Sequence, residues 1–176
     1  MSLDKIKKLR ETTSLGINVC KKALEEVGGD FNKAYETLKK RGIEVMQKKK
    51  NRKTSQGLVE AYVHFGGNLG VLIEINCETD FVAHTDIFKK FAKDIAMHIA
   101  AVNPKYLKKE DIPQEGLENI EDIDNYTKEY CLLSQIFVKD NSLSIADYLK
   151  QVISQTGENV VIKRFVRFFL GEDEAA

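Results

Sequence analysis

Residues 57–77 read GLVEAYVHFGGNLGVLIEINC, and the fold class follows from how that stretch is parsed. In its first half Val59, Ala61, Val63 and Phe65 alternate with Glu60, Tyr62 and His64. In its second half Leu69, Val71, Ile73 and Ile75 share one face. Alternation with a period of two marks strands that bury one side. Between the runs, Gly66-Gly67-Asn68 supplies turn chemistry. The spacing therefore predicts a β-hairpin with a buried β-branched stripe on one face and a half-polar second face. Gly70 leaves room for a bulge or a close backbone approach.

A buried stripe needs a cover, and the downstream sequence supplies one. In TDIFKKFAKDIAMHIAAV, residues 85–102, Ile87, Phe91, Ile95 and Ile99 recur every four positions, flanked by Phe88, Ala92 and Ala96. That is helical spacing, with Thr85 as N-cap, Asp86 in the first turn and Asn103-Pro104 as the stop. Residues 103–133 are acidic and irregular, with a turn and part of a helix. Beyond them Ser144 caps IADYLKQVISQTG, whose inward side is Ile145, Leu149, Val152 and Ile153, and Gly157 stops it. In the closing NVVIKRFVRFFLG, Val160, Ile162, Val166, Phe168 and Leu170 are in phase, interrupted by Arg164. This strand can pair with the hairpin. The class is α+β, a small antiparallel sheet covered by helices.

Upstream, residues 1–42 read as three short helices. Ser2 or Asp4 opens the first, with Ile6 and Leu9 facing inward. The second carries Val19, Ala23 and Val27 with Cys20 and Leu24 beside them, and ends at Gly28-Gly29. Asp30 caps the third, whose Phe31, Ala34 and Leu38 share a face and which Gly42 closes. Three helices in about forty residues make a marginal core, so a neighbouring unit is expected. The shift in composition over IEVMQKKKNRKTSQ, residues 43–56, places the domain boundary: 1–52 is the helical domain with its linker, and 53–176 the α+β core. The Lys48–Lys53 run, KKKNRK, reads as a solvated helix end or linker ahead of a nucleic-acid contact.

The totals exclude several classes. The 27 basic and 27 acidic residues cancel, which argues against a general nucleic-acid binder. Cys20, Cys77 and Cys131 are odd in number and widely spaced, so reduced, buried thiols are expected rather than a disulfide framework or a zinc site. No signal peptide, transit peptide or membrane span is evident, and a cytoplasmic location is expected. Phosphate-loop, nucleophile-elbow, zinc-protease and dinucleotide motifs are absent, and Asp122 and Asp124 read as a solvated acidic loop. No cofactor or metal is expected. A Cys77–His84 nucleophile pair is conceivable, but a buried strand-end cysteine is the stronger reading.

One feature is left over. ETDFV, Glu78–Val82, sets an acid and an aromatic side by side between the hairpin and the next helix. Thr79 or Asp80 can cap a turn there, with Phe81 packing locally. Alternatively, an exposed Phe81 is a compact anchor for a pocket on a partner, with Asp80 competing for donors or repelling a phosphate or a metal-bound oxygen.

Three ordered segments carry a resemblance. LRETTSLGINVCKKAL (Leu9–Leu24), EINCETDFVA (Glu74–Ala83) and GENVVIKRFVRFFLG (Gly157–Gly171) are similar to stretches of the elongation factor Ts family, in its short, single-core form. Ser14 and His84 depart from the family's usual residues. The resemblance implies that residues 1–52 form a ubiquitin-associated-like domain. It also implies a guanine-nucleotide exchange factor in protein biosynthesis that does no covalent chemistry. Its partner would be elongation factor Tu carrying GDP. Thr79, Asp80, Phe81 and Val82 would enter beside the nucleotide and dislodge Mg²⁺, and Lys21 would be a second contact. Nucleic acid and membrane are not implied as partners; a homodimer or a 2:2 complex with Tu is compatible with the short form. The rival readings are a nucleic-acid adaptor using Lys48–Lys53 and a Cys77 hydrolase, ranked second and third.

Overall fold

A computed structural model describes residues 3–13, 15–49, 51–114 and 120–172; Ser2, Ser14 and Lys50 lie outside them. Two strands of the predicted hairpin, β1 (Gln56–Val63) and β2 (Leu69–Cys77), pair antiparallel. The last strand, β5 (Val161–Phe169), pairs with the other side of β2, which gives the order β1-β2-β5. A two-stranded ribbon, β3 (Ile136–Phe137) with β4 (Asp140–Ser144), stands apart from that sheet. The fold is α+β.

Three helices open the chain: α1 (Leu3–Thr13), α2 (Ile17–Glu26) and α3 (Phe31–Lys49). They bury Ile6, Leu9, Cys20, Ala23, Leu24, Ala34 and Leu38 together. Val19, expected inside, is exposed; the buried side of α2 is centred on Cys20, Ala23 and Leu24. Asp30 caps α3 by accepting the Lys33 N–H at 3.0 Å. The predicted stop at Gly42 does not occur, and α3 runs on to Lys49. A glycine inside a helix costs only about 1 kcal/mol. Packing of α3 on α7 (Ile145–Thr156) outweighs that, and the Lys49 ammonium donates to the Gly157 carbonyl at the end of α7.

The sheet is covered on one face by α5 (Asp86–Val102), which follows a single turn of helix, α4 (Asp80–Ala83). Phe88, Phe91, Ile95 and Ile99 are fully buried against Val71, Ile73 and Ile75. Each such side chain contributes about 1.5–3 kcal/mol by leaving water. Ile87, expected in this stripe, lies on the exposed side. Thr85 and Ser144 cap their helices as expected: each hydroxyl accepts an N–H three residues on, and Asn103 and Gly157 end their helices at positive φ. The irregular 103–133 segment contains α6 (Ile123–Tyr130), capped by Asp122, with residues 115–119 outside the described set. Asp94 on α5 is buried with its charge answered by Lys139 at 2.7 Å and the Tyr148 hydroxyl at 2.9 Å.

Two strands differ from expectation in which face they bury. On β1 the inward residues are Leu58, Glu60 and Tyr62, while Val59, Ala61 and Val63 face out. The four-residue loop Phe65–Asn68 sets Val63 opposite Gly70 and Tyr62 opposite Val71, and a register one residue away would reverse both faces. On β5 a bulge intervenes: Ile75 pairs with Ile162 but Glu74 pairs with Arg164, so Lys163 is the extra residue. Val160 and Ile162 face the core, and beyond the bulge Phe165 and Arg167 do, leaving Val166 and Phe168 outside. The outer face of the sheet therefore presents Val59, Ala61, Val63, Leu72, Val166 and Phe168 to solvent. At the start of β1, Gly57 lies so close to β2 that a Cβ would sit 2.1 Å from the Ile75 carbonyl oxygen.

Candidate partner-binding site

The turn that follows β2 is built from the strand end outward. Cys77 is fully buried, and its thiol donates to the Thr79 carbonyl at 3.0 Å. Burial, reinforced by the Glu158 carboxylate, pushes that thiol up to about 11. It stays protonated at neutral pH, which removes the motive for a Cys77 nucleophile. His84 faces elsewhere, with Nδ1 donating to the Asp80 carbonyl at 2.7 Å. All three cysteines are free and buried.

Thr79 is the N-cap of α4: it is extended at φ −125°, ψ 156°, and its hydroxyl oxygen accepts the Val82 N–H at 3.4 Å. Val82 and Ala83 turn inward and join the core. Phe81 turns outward and is 82% exposed, with exposed Asp80 before it. Thr85 closes the turn, donating its hydroxyl to the Val82 carbonyl at 2.7 Å while capping α5. Of the four adjacent residues singled out from sequence, then, two hold the turn and two face solvent. Lys21 lies on the exposed side of α2, in the N-terminal helices; its side chain is 56% exposed and stands 3.9 Å from Glu25.

Sequence reasoning missed the residues that brace this turn from the connection between α7 and β5 and from the linker. The Glu158 carboxylate accepts the Glu78 N–H at 3.1 Å, the Thr79 N–H at 3.0 Å and the Thr79 hydroxyl at 2.6 Å. In return the Glu78 carboxylate accepts the Asn159 N–H at 2.6 Å. That bond, helped by Arg52 at 3.3 Å, holds the Glu78 carboxyl below its ordinary value. Asn159 also donates its side-chain amide to the Arg52 carbonyl at 3.1 Å. No local pattern signals such contacts, because about eighty positions separate the partners.

Among the described residues no group of His, Cys, Asp and Glu could hold a metal ion, and no helix is long and apolar enough to cross a membrane. The site offers no pair of converging acid and base. It offers an exposed aromatic ring on a hydrogen-bonded turn, with a neighbouring carboxylate.

Comparison with known proteins follows the same residues. A family model described as elongation factor TS matches residues 4–125 and 121–172. An elongation factor Ts of Carboxydothermus hydrogenoformans is 46% identical over 190 aligned positions, covering 95% of this chain and 88% of that protein. One from a Thermoanaerobacter species is 45% identical over 195 positions, covering 98% and 96%. One from Thermotoga petrophila is 42% identical over 193 positions, covering 98% and 97%.

Proposed function

Since the chain belongs to the elongation factor Ts family and so acts as a translation elongation factor in nucleotide exchange, we propose that its partner is elongation factor Tu carrying GDP. Phe81 enters an apolar pocket of the GTPase beside the nucleotide, and Asp80 displaces groups that hold Mg²⁺ and phosphate. Thr79 and Val82 keep the turn in shape. Lys21 makes a second contact from the helical domain, residues 1–52. No covalent bond is made or broken, so the chain is an exchange factor rather than an enzyme, needs no cofactor and works in the cytoplasm without touching nucleic acid.

The observation that supports this reading is the exposure of Phe81 on a turn whose other groups are tied down. A large ring left in water at a rigid position is a ready anchor for a partner pocket. The energetics follow from linkage. A factor that binds nucleotide-free Tu better than Tu·GDP weakens GDP binding by the same ratio. Every 1.4 kcal/mol of that coupling is about a tenfold change in affinity. The test is stopped-flow release of fluorescent GDP from Tu. The wild-type chain accelerates release, and no acceleration at any concentration overturns the proposal.

Pairing of two chains, alone or as a 2:2 complex with Tu, draws support from the outer sheet face. Most of that face is apolar, Arg164 is answered there by Glu74 at 2.7 Å, and Lys163 lies near the same carboxylate, so the apolar side chains carry the pairing. Light scattering reads a dimer for the wild type and a monomer for Phe168→Asp; a monomeric wild type overturns the pairing.

A further inference from the structure

The exposed turn is held by a group that comes from the far end of the chain. We propose that Glu158 is a positioning residue for the Phe81 wedge: its carboxylate fixes the Thr79 hydroxyl and the two amides before α4, and so sets the direction in which the ring leaves the surface. The proposal rests on the reading of Phe81 given above and adds a residue to that same site.

Glu158 is itself fixed. It follows Gly157, the left-handed C-cap of α7 at φ 72°, and its N–H donates to the Thr156 hydroxyl at 3.4 Å. On the other side, the reciprocal bond from Asn159 N–H to the Glu78 carboxylate locks the two segments together. Its carboxylate then meets three donors, with one oxygen serving both amides and the other the hydroxyl. Charge-assisted bonds of this kind are about twice as strong as neutral ones.

The decisive contact is the 2.6 Å bond from the Thr79 hydroxyl. A threonine hydroxyl has one proton and two lone pairs. With its proton committed to Glu158, its lone pair is left facing the Val82 N–H, which is the capping bond that starts α4. Phe81 lies one residue before that N–H. Without the carboxylate the hydroxyl is free to rotate, the Glu78 and Thr79 amides lose their acceptor, and the first turn of α4 loses its anchor. The ring would still be exposed but would no longer be aimed. Ordering it would then be charged against binding.

A double-mutant cycle tests this on the full chain, with fluorescent GDP release from Tu, melting temperature and amide hydrogen exchange as readouts. Glu158→Ala is expected to lower the maximal release rate about tenfold. In the same variant the Thr79 amide exchanges faster. Glu158→Gln keeps an oxygen for the two amides but turns an NH2 toward the Thr79 hydroxyl, so its rate is expected to fall between those of Glu158→Ala and the wild type. In a Phe81→Ala background, Glu158→Ala is expected to cost less than about twofold more, because the group acts through the ring. An equal loss with and without Phe81, or an unchanged Thr79 amide, overturns the positioning role while leaving the wedge intact. A wild-type rate for Phe81→Ala alone overturns the wedge, and the positioning role with it.

Discussion

The molecule carries two phenylalanines at loop tips almost wholly in water, Phe81 at 82% and Phe65 at 97%, and they are held very differently. Phe65 sits in the hairpin loop, next to Gly66 and Gly67 at φ 100° and 74°, the least restricted backbone available. The loop is closed by His64 N–H to the Leu69 carbonyl and Gly67 N–H to the His64 carbonyl. Phe81 sits in a turn where the hydroxyl of Thr79, the hydroxyl of Thr85 and the amides of Glu78 and Thr79 all have partners. Exposure alone therefore does not single out an anchor. On the proposed function the distinction is pre-organisation, because a ring on a backbone already held loses less freedom when a partner closes over it.

The largest expected effect breaks the comparison outright. Phe81→Ala should slow the GDP release from Tu that this chain stimulates by more than about tenfold with an unchanged melting temperature, while Phe65→Ala should change it by less than about twofold. Stopped-flow fluorescence decides this, and equal losses would remove the distinction between the tips. Thr79→Ala comes next. It removes a cap and the hydroxyl partner of Glu158, so urea unfolding should show a loss of about 1–2 kcal/mol, accompanied by slower exchange. A smaller effect is expected from Lys21→Ala. The side chain is exposed and its ion pair with Glu25, at 3.9 Å, is weak, so exchange should fall less than about fivefold and stability should not move.

Much of this contrast could be read from the amino-acid order, and some could not. Helices α5 and α7 were legible because long apolar periods and hydroxyl caps agree with one another. The turn at Thr79 was legible as a cap. The buried faces of β1 and β5 were misread, since a loop length and a bulged residue decide parity and neither alters the alternation of residue types. The extension of α3 past Gly42 was hidden because its cause is packing on a helix a hundred residues away. The same distance hid Glu158 and Asn159 behind the turn.

The smallest effect concerns the core behind both tips. His98 is fully buried on α5, with Nε2 donating to the Gln135 side-chain oxygen at 2.9 Å and Nδ1 accepting the Val138 N–H at 3.4 Å. Burial holds its pKa below the ordinary histidine value. The unfolded chain then binds more protons than the folded one as the medium acidifies, so this stabilising contribution is intact above about pH 6.5. It is lost as the pH falls through the lower folded value. The urea midpoint should drop between pH 7.5 and pH 5.5, and His98→Gln should flatten that slope. An unchanged slope would show that the acid sensitivity resides elsewhere.

The extra residue at Lys163 has a consequence for where the terminal strand can carry charge. Uninterrupted alternation from Ile162 would drive Arg164 beneath α5, into the driest part of the molecule. Slipping by one sends that guanidinium to the solvent side, where Glu74 answers it. The inward cation becomes Arg167, opposite Val71 and near the rim, within 3.0 Å of Glu172. A single insertion thus moves the inward cation from the centre of an oily interior to its rim, where Glu172 meets one end of the guanidinium while its Nε stays buried without a hydrogen-bond partner.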